Sequence, residues 1–99
     1  MLIAVLDLYT TASDRAAALA QLDAERQEIR AMPGNLDFRV YAARDSEEGV
    51  AVIHEWTDQA SFAAYLASDS FARSSEVIRP LMSVPSVSRR FHASLLETV

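Results

Sequence analysis

Two short segments, "LIAVL" at residues 2–6 and "VAVI" at residues 50–53, constrain this chain more than any other feature. Both are rich in Leu, Ile and Val and too short for a typical helix, so both read as strands. Neither alternates, because apolar residues occupy both parities. A strand in an antiparallel sheet covered on one side places polar residues at every second position, whereas a strand apolar on both sides needs both faces shielded from water. A chain of 99 residues buries only about 60 to 70% of its unfolded surface when it folds alone. The simplest cover for the second face is another copy of the same sheet, contributing about 25 cal/mol per Å2 of apolar area buried. A homodimer is therefore expected.

The rest of the chain supplies the other layers. The first strand runs over residues 2–9, and "TTASD" starts a helix over about 12–31, with Thr11 as N-cap and Asp14 near the positive end of the helix dipole. Leu19, Leu22, Ile29 and Met32 form its apolar stripe, leaving Asp23, Glu25, Glu28 and Arg30 for water. "MPGN" closes the helix, with Gly34 supplying a positive φ. Residues 36–44 alternate Leu36, Phe38, Val40 and Ala42 against Asp37, Arg39 and Tyr41, a strand period. "DSEEG" turns the chain into a second hairpin arm at 50–56.

Thr57 caps a helix from Asp58 bearing Phe62, Tyr65 and Leu66 on one face; "SDS" breaks it, a second helical piece spans about 69–79, and Pro80 ends that piece. The last strand covers about 87–96. The order is β-α-β-β-α-β, the ferredoxin-like α+β arrangement: an antiparallel four-stranded sheet with its helices on one face. One domain over residues 1–99 is expected.

Composition narrows function mainly by exclusion. The formal charge is -5 and the nine basic residues, all arginines, are scattered, which argues against a nucleic-acid partner. There is no cysteine and there are two lone histidines, so disulfides, thiolate chemistry and a structural zinc site are excluded. The opening "MLIAVLDLYTT" lacks a basic leader and meets Asp7, so no signal peptide, membrane span or membrane partner is expected, and the location is read as cytoplasmic.

The stretch "VIHEWTDQASFAAYLASDSF", together with "MPGNLDFRVYAARD" upstream, resembles the antibiotic biosynthesis monooxygenase (ABM) family. That resemblance implies a dimeric α+β barrel, in agreement with the two-faced strands. It also implies a cofactor-independent monooxygenase that uses O2 on a small electron-rich aromatic substrate of phenol, hydroquinone or anthrone type, with neither metal nor organic cofactor. A non-catalytic dimeric domain of the same fold, binding a small ligand or serving assembly, is the alternative. Haem-degrading relatives need an axial histidine a few residues after the phenylalanine of "LASDSF"; here residues 72–75 read "ARSS".

Most of the candidate residues carry more than one reading. Asp7 interrupts an apolar strand, where the haem-degrading branch has a catalytic asparagine; it is a general base or the partner of Arg39, Arg89 or Arg90. His54 titrates near neutrality and is a base or a structural histidine, and His92 has similar standing. Tyr65 stands where many family members carry histidine; it is a hydrogen-bond donor, a base or core. Trp56 stacks on a ligand or plugs the corner between sheet and helix. Phe62 and Phe71 complete the expected substrate wall. A closed cavity between sheet and helices that Trp56, Tyr65 and at least one of Asp7 and His54 jointly line favours the catalytic reading, and side chains filling that space count against it.

Overall fold

A computed structural model describes residues 1–99. Strand β1 covers Leu2–Tyr9, helix α1 Arg15–Arg30, β2 Asn35–Ala42, β3 Gly49–Trp56, α2 Gln59–Leu66, α3 Asp69–Ile78 and β4 Val87–His92, with one 3-10 turn at Arg79–Leu81. The strands form a single antiparallel sheet in the order β2-β3-β1-β4. The helices pack on one face of it, giving the ferredoxin-like α+β fold that the element order implies.

Several element ends differ from expectation for local reasons. Helix α1 begins three residues later, at Arg15, because the Thr11 hydroxyl meets Ser13 and not a helical N–H; Asp14 is the N-cap, without a side-chain bond. Asp58, not Thr57, caps α2, its carboxylate accepting from the Ser61 N–H at 2.7 Å. Ser68 joins α2 to α3 by donating to the Tyr65 carbonyl at 2.6 Å and accepting from the Phe71 N–H at 3.2 Å. Strand β4 stops at His92, four residues short of expectation, because β1 begins at Leu2, the partner of His92. Beyond Ala93, which bonds to Met1, there is no neighbouring strand to pair with. Leu36 does not share the inward face of Phe38: a bulge between Asn35 and Asp37 breaks the alternation, and Leu36 is 52% exposed.

The turn after α1 behaves as its residues require. Gly34 has φ +81°, and a Cβ there would lie 2.2 Å from the Ser61 Oγ. Its carbonyl accepts from the Thr57 N–H at 2.8 Å, so one glycine ties the α1–β2 turn to the β3–α2 corner.

Register decides which residues share a face. On β1, Leu2, Ala4, Leu6 and Leu8 pair with Trp56, His54, Val52 and Val50 of β3 and turn toward the helices. There they meet Ala18, Leu22 and Ile29 of α1, Phe62 and Tyr65 of α2 and Ile78 of α3 in one core. The remaining residues, Ile3, Val5, Asp7 and Tyr9 with Gly49, Ala51, Ile53 and Glu55, form the bare face. No helix is long and apolar enough to cross a membrane.

Candidate active site

The site grows from the last half of β3. Because β3 alternates, His54 and Trp56 point together into the layer between sheet and helices, and both are buried. Aromatic residues fill the space around them. The Tyr65 ring stacks on Trp56 at 5.2 Å and meets His54 edge-on at 5.8 Å. Phe38, Phe62 and Phe71 pack edge-on around this group at 5.3 to 5.5 Å, two against His54 and one against Tyr65. From β4, the Arg90 guanidinium lies over the Phe62 ring, 5.0 Å from its centre.

Beside this cluster a cavity of about 190 Å3 opens between sheet and helices, with Leu6, Leu8, Leu22 and Val52 on its apolar walls. His54, Tyr65, Phe62 and Phe71 line it, as do Glu25, Ser74 and Arg90. It is not sealed.

The electrostatics assign each polar group a state. The Trp56 indole N–H, which can only donate, donates to His54 Nδ1 at 3.0 Å. The single proton of the neutral imidazole therefore sits on Nε2. Burial, with the Arg90 charge adding to it, lowers the His54 pKa from 6.5 to about 4. At neutral pH His54 is an uncharged donor facing the cavity, and its acceptor nitrogen is occupied. Burial pushes the Tyr65 phenol above its ordinary value, and the Glu25 carboxylate pushes it the same way. Tyr65 thus keeps its proton at neutral pH, which counts against the phenolate-base reading.

The expected site residues separate. His54, Tyr65, Phe62 and Phe71 converge on the cavity. Trp56 is fully buried and does not border the cavity; it sets the orientation of His54 from behind. Asp7 lies on the bare face, opposite Ala51 and Val87, and faces Arg89 at 3.8 Å. Asp7 is ion-paired there, and the sheet separates it from His54. His92 is exposed on β4.

Glu25 is the residue that sequence reasoning sent to water and that the fold buries, at 7% exposure. Its carboxylate accepts from Ser74 Oγ at 2.9 Å and from Gln21 Nε2 at 3.1 Å. Burial raises its pKa most, against the two hydrogen bonds and Arg73, with Glu28 adding to the rise. The signal was spacing: Glu25 lies three residues after Leu22 and four before Ile29, on the inward stripe of α1.

The sequence over residues 1–77 matches the family model for antibiotic biosynthesis monooxygenase. The chain belongs to the antibiotic biosynthesis monooxygenase family. Solved ABM-type folds superpose along almost the whole molecule. A Deinococcus radiodurans protein classed with these monooxygenases has a TM-score of 0.91 at 16% identity, covering 100% of this chain and 98% of that one. A Nitrosomonas europaea protein classed the same way gives 0.89 at 12% identity, covering 94% of this chain and 98% of that one. A Mycobacterium tuberculosis protein gives 0.87 at 18% identity, covering 99% and 98%. At such identities the likeness speaks for the fold. No protein of curated function matches the chain.

Proposed function

We propose that this ABM-family chain is a cofactor-independent monooxygenase of a small electron-rich aromatic, of phenol or hydroquinone type. The observation that carries the reading is the cavity itself: aromatic walls, with His54, Tyr65 and Arg90 among the residues that line one small space. Such a site suits chemistry in which the protein supplies orientation and charge while substrate and O2 react directly.

In this reading, loss of a proton leaves a phenolate, whose negative charge the nearby Arg90 stabilises. The phenolate passes one electron to O2, the two radicals combine as a ring hydroperoxide, and loss of water leaves the quinone. For a hydroquinone the sum is hydroquinone plus O2 giving hydroxyquinone plus water. Phe62 and Phe71 hold the ring, and His54 and Tyr65 donate to oxygen atoms of substrate or peroxide. Trp56 acts as a positioning residue by holding Nδ1 of His54.

Volume sets the size of the substrate. A cavity of about 150 Å3 is known to hold benzene, so about 190 Å3 suits one substituted ring better than a three-ring anthrone. Oxygen uptake with trimethylhydroquinone, without added metal or flavin, tests the proposal. The expected result is uptake, one labelled oxygen atom in the quinone when isotopic O2 is used, and at least a tenfold fall in kcat for Arg90→Gln. No uptake above the uncatalysed rate with any single-ring phenol or hydroquinone overturns it.

We further propose that two copies meet through the bare face. Val87, Phe91, Tyr9 and Tyr41 are 45 to 56% exposed there, around Ile3, Val5 and Ile53, a cluster of exposed apolar side chains of the kind that marks a contact surface. A dimeric mass by light scattering at micromolar concentration, converted to a monomeric one by Val5→Asp, is expected; a wild-type monomer refutes it.

A further inference from the structure

Oxygenation of this kind begins with a proton leaving the substrate, and the residues assigned so far contain no group to take it. His54 turns an N–H toward the cavity while Trp56 occupies its acceptor nitrogen. Tyr65 stays protonated, Arg79 and Arg90 offer only donors, and Asp7 is on the far side of the sheet. Among the cavity-lining residues, Glu25 is the only carboxylate.

Glu25 is built into its place. Ser74 on α3 and Gln21 on α1 hold one oxygen each, and an ionised carboxylate has room for about two further donors. No arginine forms an ion pair with it; the six ion pairs of the molecule all lie elsewhere. A carboxylate buried on the stripe of Ala18, Leu22 and Ile29, with Arg73 favouring its charge but forming no ion pair with it, is costly to the fold. It sits where a ligand with a donatable hydrogen would relieve that cost.

We propose that Glu25 receives the hydroxyl group of a single-ring phenol or hydroquinone in this cavity and takes its proton. The O–H bond breaks, the hydrogen joins a Glu25 oxygen as a proton, and the bonding pair stays on the phenolate oxygen within the field of Arg79 and Arg90. The catalytic half of this inference rests on the oxygenase reading, whereas the hydroxyl-binding half stands without it. Ionisation of Glu25 is governed by burial and Glu28 against Ser74, Gln21 and Arg73; Tyr65, His54, Arg79 and Arg90 face the same space from α2, β3, the 3-10 turn and β4.

Two arms test it. In the first, calorimetry under argon compares p-cresol with its methyl ether, which has the same ring and no hydroxyl. Wild type is expected to prefer the phenol at least tenfold at neutral pH, and to lose that preference as pH falls and Glu25 protonates. Glu25→Gln should cut the preference to threefold or less and remove its pH dependence. Ser74→Ala, which withdraws a donor that favours the ionised form, should move the loss to higher pH. Equal binding of the two ligands by wild type, or a preference unchanged in Glu25→Gln, overturns the inference. If Glu25→Gln does not fold, an unmoved pH dependence in Ser74→Ala does the same.

In the second arm, oxygen uptake with trimethylhydroquinone should fall at least a hundredfold in kcat for Glu25→Gln. A phenol preference that depends on Glu25 without any wild-type uptake defeats the oxygenase reading and leaves the hydroxyl site standing. Wild-type uptake that survives Glu25→Gln within threefold removes Glu25 as proton acceptor.

Discussion

The two faces of the sheet use the same strands for opposite purposes. On the helix face, β1 and β3 bury Leu2, Ala4, Leu8, Val50, Val52 and Trp56 against helices. Two of the buried polar groups there have side-chain partners: His54 with Trp56, and Glu25 with Ser74 and Gln21. On the bare face the alternate residues are just as apolar at Ile3, Val5 and Ile53, yet nothing of this chain covers them, and the charged groups there pair loosely near solvent, as Asp7 and Arg89 do at 3.8 Å. Under the proposed function, the polar residues of the helix face serve chemistry and the bare face serves contact between two copies. A carboxylate tells the two apart by its surroundings: Glu25 has its pKa raised by burial, whereas Asp7 is a half-exposed member of an ion pair.

The largest effect should come from truncating the helix face. Trp56→Ala removes a fully buried ring, its stack on Tyr65 and the bond that sets His54, and is expected to lower stability by about 3 to 5 kcal/mol in urea unfolding. Tyr41→Ala on the bare face should lower it by less than about 1 kcal/mol in dilute, monomeric solution. Equal losses would erase the distinction between the faces.

Next in size is a pH effect confined to the helix face. The folded protein keeps His54 neutral down to about pH 4, while the unfolded chain takes up that proton near pH 6.5. The unfolded state therefore binds more protons between these values. The contribution is fully present above about pH 6.5 and lost as pH falls toward 4, and amounts to roughly 3 kcal/mol. Glu25, with its pKa raised, acts in the opposite sense, so the comparison to make is wild type against His54→Phe. Their stability difference should shift by that amount between pH 7 and pH 4, and a constant difference would mean that His54 is not held neutral.

The smallest effect belongs to the bare face. Asp7→Asn breaks an exposed ion pair with Arg89 and should change stability by less than about 0.5 kcal/mol. A loss of several kcal/mol would make Asp7 a buried, functional carboxylate after all.

How far the sequence could be read follows from the same contrast. Alternation in β2 from Phe38 onward and the Pro33–Gly34 turn were legible because period and turn chemistry are local. The pairing of His54 with Tyr65 was legible because parity and helical spacing place both on inward faces. The place of Asp7 was not: with both parities of β1 apolar, nothing local says which face meets His54, and that depends on the register that sets Asp7 beside Ala51 and His54 beside Ala4. Trp56 was assigned the right face, but how deep it lies in the layer depends on Phe62 and Tyr65 packing over it. Glu25 was misread because its charge was given more weight than its spacing on α1. The family match extends to residue 77 and so does not reach Arg90, whose position over Phe62 appears only in three dimensions.

If ligand chemistry belongs to the helix face, amide shift mapping by NMR during titration with p-cresol will locate it there. Shifts are expected to cluster at Glu25, His54, Tyr65, Phe71 and Ser74, with Asp7, Tyr9 and Ala51 unmoved. Shifts clustered at Asp7, Tyr9 and Ala51, with His54 and Tyr65 unmoved, would contradict it.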